Sequence, residues 1–237
     1  MKRIVPIVVS AILLPLFIGL GLWQLDRATQ RQAIKVKIMQ RSEIPAQELP
    51  AEVDDASQFE YYHFKFTGEF ESEYQIFLDN QIHQGQAGYH VIAPVKVAST
   101  ETRVLVNRGW IPGGESREQL PAVETPAGNL EIVGRAVAPP ADYFTLESED
   151  SQSADWQTLW QNLDMEKIQS RLPFPIYPIV IQQDADAGAK FVRAWPDYDD
   201  NWIQRHRAYA FQWFSLAALL VVIWVVFAVR ARRGQKA

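Results

Sequence analysis

The sequence contains no cysteine among its 237 residues. This absence excludes disulfide bonds, c-type haem attachment, iron–sulfur clusters held by thiolates and copper sites with a thiolate ligand. Common enzyme motifs are also missing, including phosphate-binding loops, His-Glu-x-x-His pairs and Gly-x-Ser-x-Gly elbows. A hydrolase is therefore the least supported class of function, because it would need distant residues such as His90 and Asp79 to meet in a polar pocket.

Charged residues are absent from two long apolar runs, residues 4–25 and 208–229, which are 22 residues each. Each run would form a helix about 33 Å long, enough to cross a hydrocarbon core of about 30 Å. A cleaved signal peptide is the alternative for the first run. That run is long for a signal peptide, however, and no small-x-small cleavage site follows it. The sequence therefore predicts a membrane protein with two transmembrane α-helices.

The charge distribution predicts the orientation of these helices. Basic residues lie at the outer ends of both runs: Lys2 and Arg3 before the first, and Arg230, Arg232, Arg233 and Lys236 after the second. Both termini should therefore be cytoplasmic and the region between the runs extracytoplasmic. Arg27, Arg31 and Lys35 lie on the outer side in this orientation, but a long domain can translocate regardless of its charges.

The region between the runs is acidic. It holds all 28 acidic residues and 17 Lys and Arg, which gives it a net charge of −11. Nucleic acid is not expected as a partner, because phosphate binding needs a basic surface. The first residues do not resemble an Arg- and Ser-rich transit peptide, so we expect a bacterial cytoplasmic (inner) membrane and a periplasmic central domain.

Aromatic and β-branched residues alternate with turn residues in the central region, a pattern typical of strands. The predicted strands are residues 61–66, 75–78, 89–97, 103–110, 130–137, 179–181 and 190–194. Residues 155–172 are predicted to be mainly helical, with Asp164 as an N-cap. The first helix should continue to residue 39, since no Pro or Gly interrupts residues 26–39. These patterns predict a mainly antiparallel β (α+β) domain, either a meander or a small barrel, between two helices. The three parts are residues 1–42, 43–200 and 201–237.

A histidine, His206, lies where the second helix enters the membrane. At about 100° per residue, several aromatic residues share its helix face. This predicted face comprises Trp202, His206, Tyr209, Ala210, Trp213 and Trp224, with Arg205 and Arg207 beside it. Gly19, Trp23 and Arg27 form a matching stripe on the first helix, where Gly19 and Gly21 would permit close helix approach.

Two interpretations of this cluster stay open. Trp, Tyr and Arg are enriched at membrane interfaces, so the cluster is consistent with an ordinary aromatic belt. It is also consistent with a haem site. His206 would ligate the iron, and the walls would be Tyr209, Trp213 and Trp23. The propionates would pair with Arg27, Arg205 and Arg207. Both interpretations use the same residues, so periodicity does not separate them.

Four ordered motifs resemble the Surfeit-locus family of cytochrome c oxidase assembly proteins. They are Gly-Leu-Trp-Gln-Leu-Asp-Arg at 21–27, Leu-Asp-Asn at 78–80 followed by Gly-Gln-Ala-Gly-Tyr at 85–89, Val-Leu-Val-Asn-Arg-Gly-Trp-Ile-Pro at 104–112, and Asn-Trp-Ile-Gln-Arg-His at 201–206 with Tyr209-Ala210 and Trp213-Phe214. Gln81 departs from the pattern, in which Arg is common. Residues 113–200 match only loosely.

The resemblance implies a non-catalytic assembly factor for haem–copper oxidases. Bacterial members are linked to binding haem a and placing it in the large oxidase subunit, so that subunit and haem a synthase are the expected partners. The family's second-helix histidine corresponds to His206. A scaffold that binds no cofactor is the alternative. Asn107, Arg108 and Trp110 would either shape a turn with a packed indole or form a docking surface for the oxidase.

Overall fold

The computed structural model describes residues 4–53, 55–98, 100–114, 119–139, 156–185, 190–195 and 200–234. The start of the predicted helix 155–172 and the basic residues Lys2, Arg3 and Lys236 lie outside these ranges. The chain divides into two compact units. One comprises residues 1–38 with residues 196–237, and the other comprises residues 39–195.

Two long helices account for the described part of the first unit. Helix α1 is Ile4–Ser42 and helix α4 is Asp200–Gly234. The segments Val8–Ser42 and Asp200–Arg230 are long and apolar enough to span a membrane. Pro15 lies within α1, and the helix continues through it and past the apolar run. The prediction of a membrane protein with a long helix at each end is thereby confirmed.

In its described residues, the second unit is built on an eight-stranded sheet with three short helical segments. Its strands are β1 (Gln47–Glu48), β2 (His63–Phe70), β3 (Ile76–His83), β4 (Gln86–Val97), β5 (Arg103–Pro112), β6 (Leu130–Val137), β7 (Leu159–Trp160) and β8 (Ile176–Gln183). The helices are α2 (Ala56–Phe59), α3 (Met165–Arg171) and a 3₁₀ turn at Ser72–Tyr74.

Five of these strands close into a small barrel. The hydrogen-bonded order is β2–β6–β8–β5–β4, and β4 returns to β2 through the pairs Gly68↔Val97 and Phe70↔Val95. All of these neighbours are antiparallel except β5 and β8, which run parallel. Strand β4 is long enough to pair with β2 at one end and with β3 at the other. Of the two predicted architectures, the chain therefore adopts the barrel.

The alternation of side chains explains how the barrel is filled. Along β2, Phe64, Phe66 and Phe70 are buried, whereas Lys65 and Glu69 are exposed. A strand has a side-chain period of two, so the phenylalanines all face the same interior. They share a core with buried residues of four other strands, among them Ala93, Val95, Val104, Val106, Ile132, Ala136, Ile179 and Ile181.

A second apolar cluster explains where the helix prediction was wrong. Only residues 165–171 of the predicted 155–172 helix are helical, while β7 pairs in parallel with β3. Trp160 is buried with Ile168, and the Phe77 amide donates to the Thr158 carbonyl at 2.7 Å. Sheet pairing and burial of the indole thus override helix propensity before residue 165. Asp164 caps α3 as predicted, accepting from the Lys167 amide at 3.0 Å.

Candidate functional site

The two long helices pack against each other in antiparallel register. The ring of Phe17 stacks on that of Trp213 with centroids 5.8 Å apart. A Cβ atom on Gly21 would lie only 2.7 Å from the ring of Phe214, so glycine is needed for this close approach. At the other end of the contact, Lys35 and Asp200 form an ion pair of 2.5 Å. The helices therefore form a hairpin-like pair within the first unit.

The contacting face of each helix follows alternating spacings of three and four residues, as expected for packed helices. Within the described residues, the face of α1 comprises Phe17, Gly21, Gln24 and Ala28, and that of α4 comprises Ile203, His206, Ala210, Trp213 and Ala217. Most of these residues are small or apolar. Gln24 and His206 are the polar residues among them, whereas the Lys35–Asp200 ion pair lies at the end of the contact. Gln24 and His206 are therefore the candidate functional pair.

Gln24 and His206 contact each other directly between the helices. The His206 Nδ1 atom lies 2.6 Å from Gln24 Oε1, and both side chains are half-buried. An amide oxygen can only accept, so this contact is a hydrogen bond when Nδ1 carries the ring proton. In that tautomer of a neutral imidazole the lone pair is on Nε2, which is the nitrogen able to ligate a metal.

The predicted aromatic residues occupy different positions around this pair. Trp202 is the nearest, with its ring centroid 6.4 Å from that of His206. Trp213 lies between the helices, where it stacks on Phe17. Trp23 and Tyr209 are about half exposed, at 48% and 52%. Aromatic surface is therefore available both inside the helix pair and on its outer side.

The three predicted arginines are exposed. The Arg27 guanidinium lies 5.7 Å from the centre of the Trp23 ring and donates to Gln30 at 3.1 Å. The Arg205 guanidinium lies 5.9 Å from the ring of Trp202. Cations stacked on exposed indoles keep donors available for anionic groups.

The predicted stripe on α1 needs a correction. Gly19, Trp23 and Arg27 are all exposed, and no heavy atom would lie within 4 Å of a Cβ atom on Gly19. The face that meets α4 instead contains Gly21 and Gln24. A strict spacing of four drifts around a helix of 3.6 residues per turn, which explains the displacement. The alternating spacing of three and four would have identified Gln24.

The predicted face of α4 was also too broad. Trp202 and Tyr209 are more than half exposed, whereas Ala210 is buried as expected. Trp224 lies more than four turns from His206 along the helix. It lines an apolar cavity of about 330 Å³ between the two helices, which Ser10, Leu14 and Leu220 also line. The cluster around His206 therefore does not include Trp224.

The predicted docking residues lie inside the barrel unit. Asn107, Arg108 and Trp110 are only 5%, 5% and 6% exposed. The Trp110 indole donates to the Gln81 carbonyl at 2.9 Å, and the Trp110 backbone forms a bridge with Val192. Burial on this scale removes the side chains from a contact surface and supports the packed indole. The expected turn is instead an irregular step within β5, where the pairing with β4 shifts register between Asn107 and Gly109.

Arg108 makes the densest polar contacts of this segment. Its guanidinium donates to Thr125 Oγ1 at 3.0 Å and to the Glu124 carbonyl at 2.8 Å. It also lies over the rings of Phe70 and Phe191, at 5.1 and 4.6 Å. Burial, with a smaller effect of the nearby Arg193 charge, lowers the pKa of Arg108 to about 10. The group therefore stays cationic at neutral pH.

His90 is held in a similarly enclosed position. Asn107 Nδ2 donates to His90 Nδ1 at 3.3 Å, and the ring packs edge-on against Trp195 at 5.6 Å. Burial lowers the pKa of His90 to about 4, so the ring is neutral at pH 7. Asp79 instead accepts from the backbone amide of Asn80. His90 and Asp79 share no hydrogen bond, and the described residues contain no metal-binding cluster of His and acidic side chains.

The fold and the site together define a membrane protein in which a closed β-barrel unit is inserted between two spanning helices. The profile of the SURF1 family matches residues 11–218. The chain therefore belongs to the SURF1 family, whose members are known as cytochrome c oxidase assembly factors.

Individual relatives agree with this assignment along nearly the whole chain. A SURF1-like protein of Rickettsia felis is 26% identical over 220 residues, covering 90% of this chain and 92% of the relative. One from Rickettsia bellii is 24% identical and covers 96% and 91%. Surfeit locus protein 1 of Rattus norvegicus is 20% identical over 91% of this chain and 73% of its own length.

Proposed function

We propose that this protein assists assembly of haem–copper cytochrome c oxidase by binding haem a at the α1–α4 pair and passing it to the large oxidase subunit. His206 is the axial ligand in this proposal. Tyr209, Trp213 and Trp23 contact the macrocycle, and Arg27, Arg205 and Arg207 bind the propionates. Haem a is cargo here, and the protein itself carries out no catalytic step.

The observation that carries the proposal is the His206–Gln24 contact. A half-buried imidazole that donates from Nδ1 to Gln24 leaves Nε2 as the nitrogen for an iron ligand. The side chains near His206 suit the macrocycle and the propionates of haem a. Exposed indole and phenol rings suit an apolar macrocycle, and exposed guanidinium groups suit carboxylates.

The proposal includes an orientation of the chain in the membrane. Both termini are cytoplasmic and the barrel unit is periplasmic, in a bacterial inner membrane, because the basic residues lie at the outer ends of the two apolar runs. His206 is then at the periplasmic side of the membrane. Haem a synthase is a second candidate partner, because it would supply the cargo.

The optical spectrum of the purified protein tests this function. Protein extracted in mild detergent from cells that make haem a should carry a haem chromophore, and His206→Ala should lose it. His83→Ala is the matched control, because His83 lies in the barrel unit against Trp110 at 5.2 Å. A His206→Ala protein with an unchanged spectrum would remove His206 as the ligand.

A scaffold without cofactor is the second candidate function. It is favoured by the extensive exposed apolar surface of both helices, which could contact oxidase helices as well as lipid. This function predicts a colourless protein that still co-purifies with the large oxidase subunit. Finding no chromophore together with undiminished co-purification would select it over haem binding.

A further inference from the structure

The polar pair between the helices also gives Gln24 a role of its own, beside that of His206. Gln24 is half-buried on α1, near the end of a run without charged residues, and its amide oxygen lies 2.6 Å from His206 Nδ1. A polar amide in a membrane helix is costly unless it is hydrogen-bonded. The contact also joins residues 182 positions apart in sequence, so the pairing of the helices creates it.

Packing on both sides holds this contact in register. One turn away, Gly21 approaches the Phe214 ring so closely that a methyl group would not fit. One turn in the other direction, Ala28 is 2% exposed, and Ile203 on α4 is 1% exposed. These positions lie about one turn to either side of the pair and favour the register that places the amide opposite the imidazole.

We infer that Gln24 is the positioning residue for His206: by accepting from Nδ1, its amide holds the imidazole in the Nδ1–H tautomer and presents Nε2 as the ligating nitrogen. This inference deepens the proposed haem function and rests on it for the identity of the metal. His206 is expected to adopt the Nδ1–H tautomer whether or not haem is bound. Free histidine in water favours the Nε2–H tautomer. A shift to the Nδ1–H tautomer caused by Gln24 is therefore measurable.

The chemistry of the acceptor predicts how substitutions behave. Gln24→Leu keeps similar bulk but removes the acceptor, so the Nδ1–H tautomer loses its partner. Gln24→Glu keeps an acceptor oxygen at the same length and adds negative charge. A more basic imidazole then stabilises ferric over ferrous iron, which lowers the reduction potential of bound haem.

The first measurement uses protein without haem. ¹⁵N-histidine-labelled full-length protein in detergent, at about pH 8.5 where ordinary imidazoles with a pKa of about 6.5 are neutral, gives two-bond ¹⁵N–¹H spectra that identify each tautomer. Spectra of His206→Ala assign the His206 signals. We expect the Nδ1–H form in the wild type and in Gln24→Glu, and its loss in Gln24→Leu. Gln212→Leu makes the same change at an exposed position of α4 and should preserve it.

The second measurement titrates the same proteins with haem and follows the Soret band. Gln24→Leu should bind about 10- to 100-fold more weakly, the range for second-shell partners of metal ligands, and Gln24→Glu should bind with a lowered potential. An Nε2–H tautomer in the wild type, or a Gln24→Leu protein unchanged in both tautomer and affinity, would overturn the assignment of Gln24. A wild type with the expected tautomer that binds no haem would instead refute the proposed function while upholding the role of Gln24.

Discussion

Replacing Arg108 with methionine separates a structural role from a docking role for the 107–110 segment. In the structure the guanidinium lies inside the barrel unit and donates two hydrogen bonds of normal length, to Thr125 and to the Glu124 carbonyl. Methionine can follow the path of the arginine stem and keep contact with Phe70 and Phe191, since its side chain is flexible and apolar. The substitution therefore removes the charge and its donors with little loss of volume.

The size of the effect follows from these contacts. A hydrogen bond from a charged group contributes about 1.5–3 kcal/mol, so the two bonds represent a loss of about 3–6 kcal/mol. Removing a desolvated cation offsets part of this loss, because burying a charge is itself unfavourable. We expect a net decrease of about 3 kcal/mol in the free energy of unfolding. Arg108→Lys should lie in between, because an ammonium group keeps the charge but not the planar fork.

Guanidinium-induced unfolding in detergent, followed by tryptophan fluorescence, measures this change. Trp110 and Trp160 are buried in the barrel unit and report on its unfolding. Lys65→Met is the matched control, because the Lys65 side chain is 46% exposed and forms its ion pair with the exposed Glu48. It should change stability by less than about 0.5 kcal/mol. If Arg108→Met were as stable as this control but failed to co-purify with the oxidase subunit, the structural argument would be refuted.

Two further predictions concern the same unit. Gly109→Ala should destabilise it by about 2–4 kcal/mol, because the position has a φ of +125° and the new methyl group would lie 2.8 Å from Phe191 Cβ; equal unfolding midpoints for variant and wild type would contradict this. Burial lowers the pKa of His90 to about 4 from its ordinary 6.5. The unfolded chain therefore binds more protons between these values, and the free energy of unfolding should fall as pH drops from 6.5 to 4, by at most about 1.4 kcal/mol per unit. Denaturation at several pH values should show a flatter dependence for His90→Gln, and identical slopes would exclude His90 as the source.

Local patterns predicted the elements of the barrel well. The aromatic-rich residues 61–66 identified a strand, which the structure places at His63–Phe70, and residues 130–137 form the predicted strand. The last predicted strand, residues 190–194, is reduced to a single bridge between Trp110 and Val192. The helix expected before residue 165 failed for a related reason. Its outcome depended on a partner strand that is distant in sequence.

The candidate site was predicted in part. His206 was chosen because an ionisable ring stood at the edge of an apolar run, and it does face the other helix. Its partner Gln24 was missed, although it lies in the motif 21–27, because the stripe was drawn with a spacing of four. Arg108 and Trp110 were considered for a surface that their burial removes. Sequence carries no direct signal of burial for an arginine, since its charge predicts exposure.

The sequence by itself determined the membrane class, the two spans and the β-rich character of the inserted region, because run length and side-chain period are local properties that need no partner. Only the tertiary structure decided the closure of the barrel between β2 and β4, the burial of the 107–110 segment and the pairing of Gln24 with His206. Each of these depends on register between segments far apart in the chain. That register is set by how whole faces pack together, and no single stretch of sequence contains it.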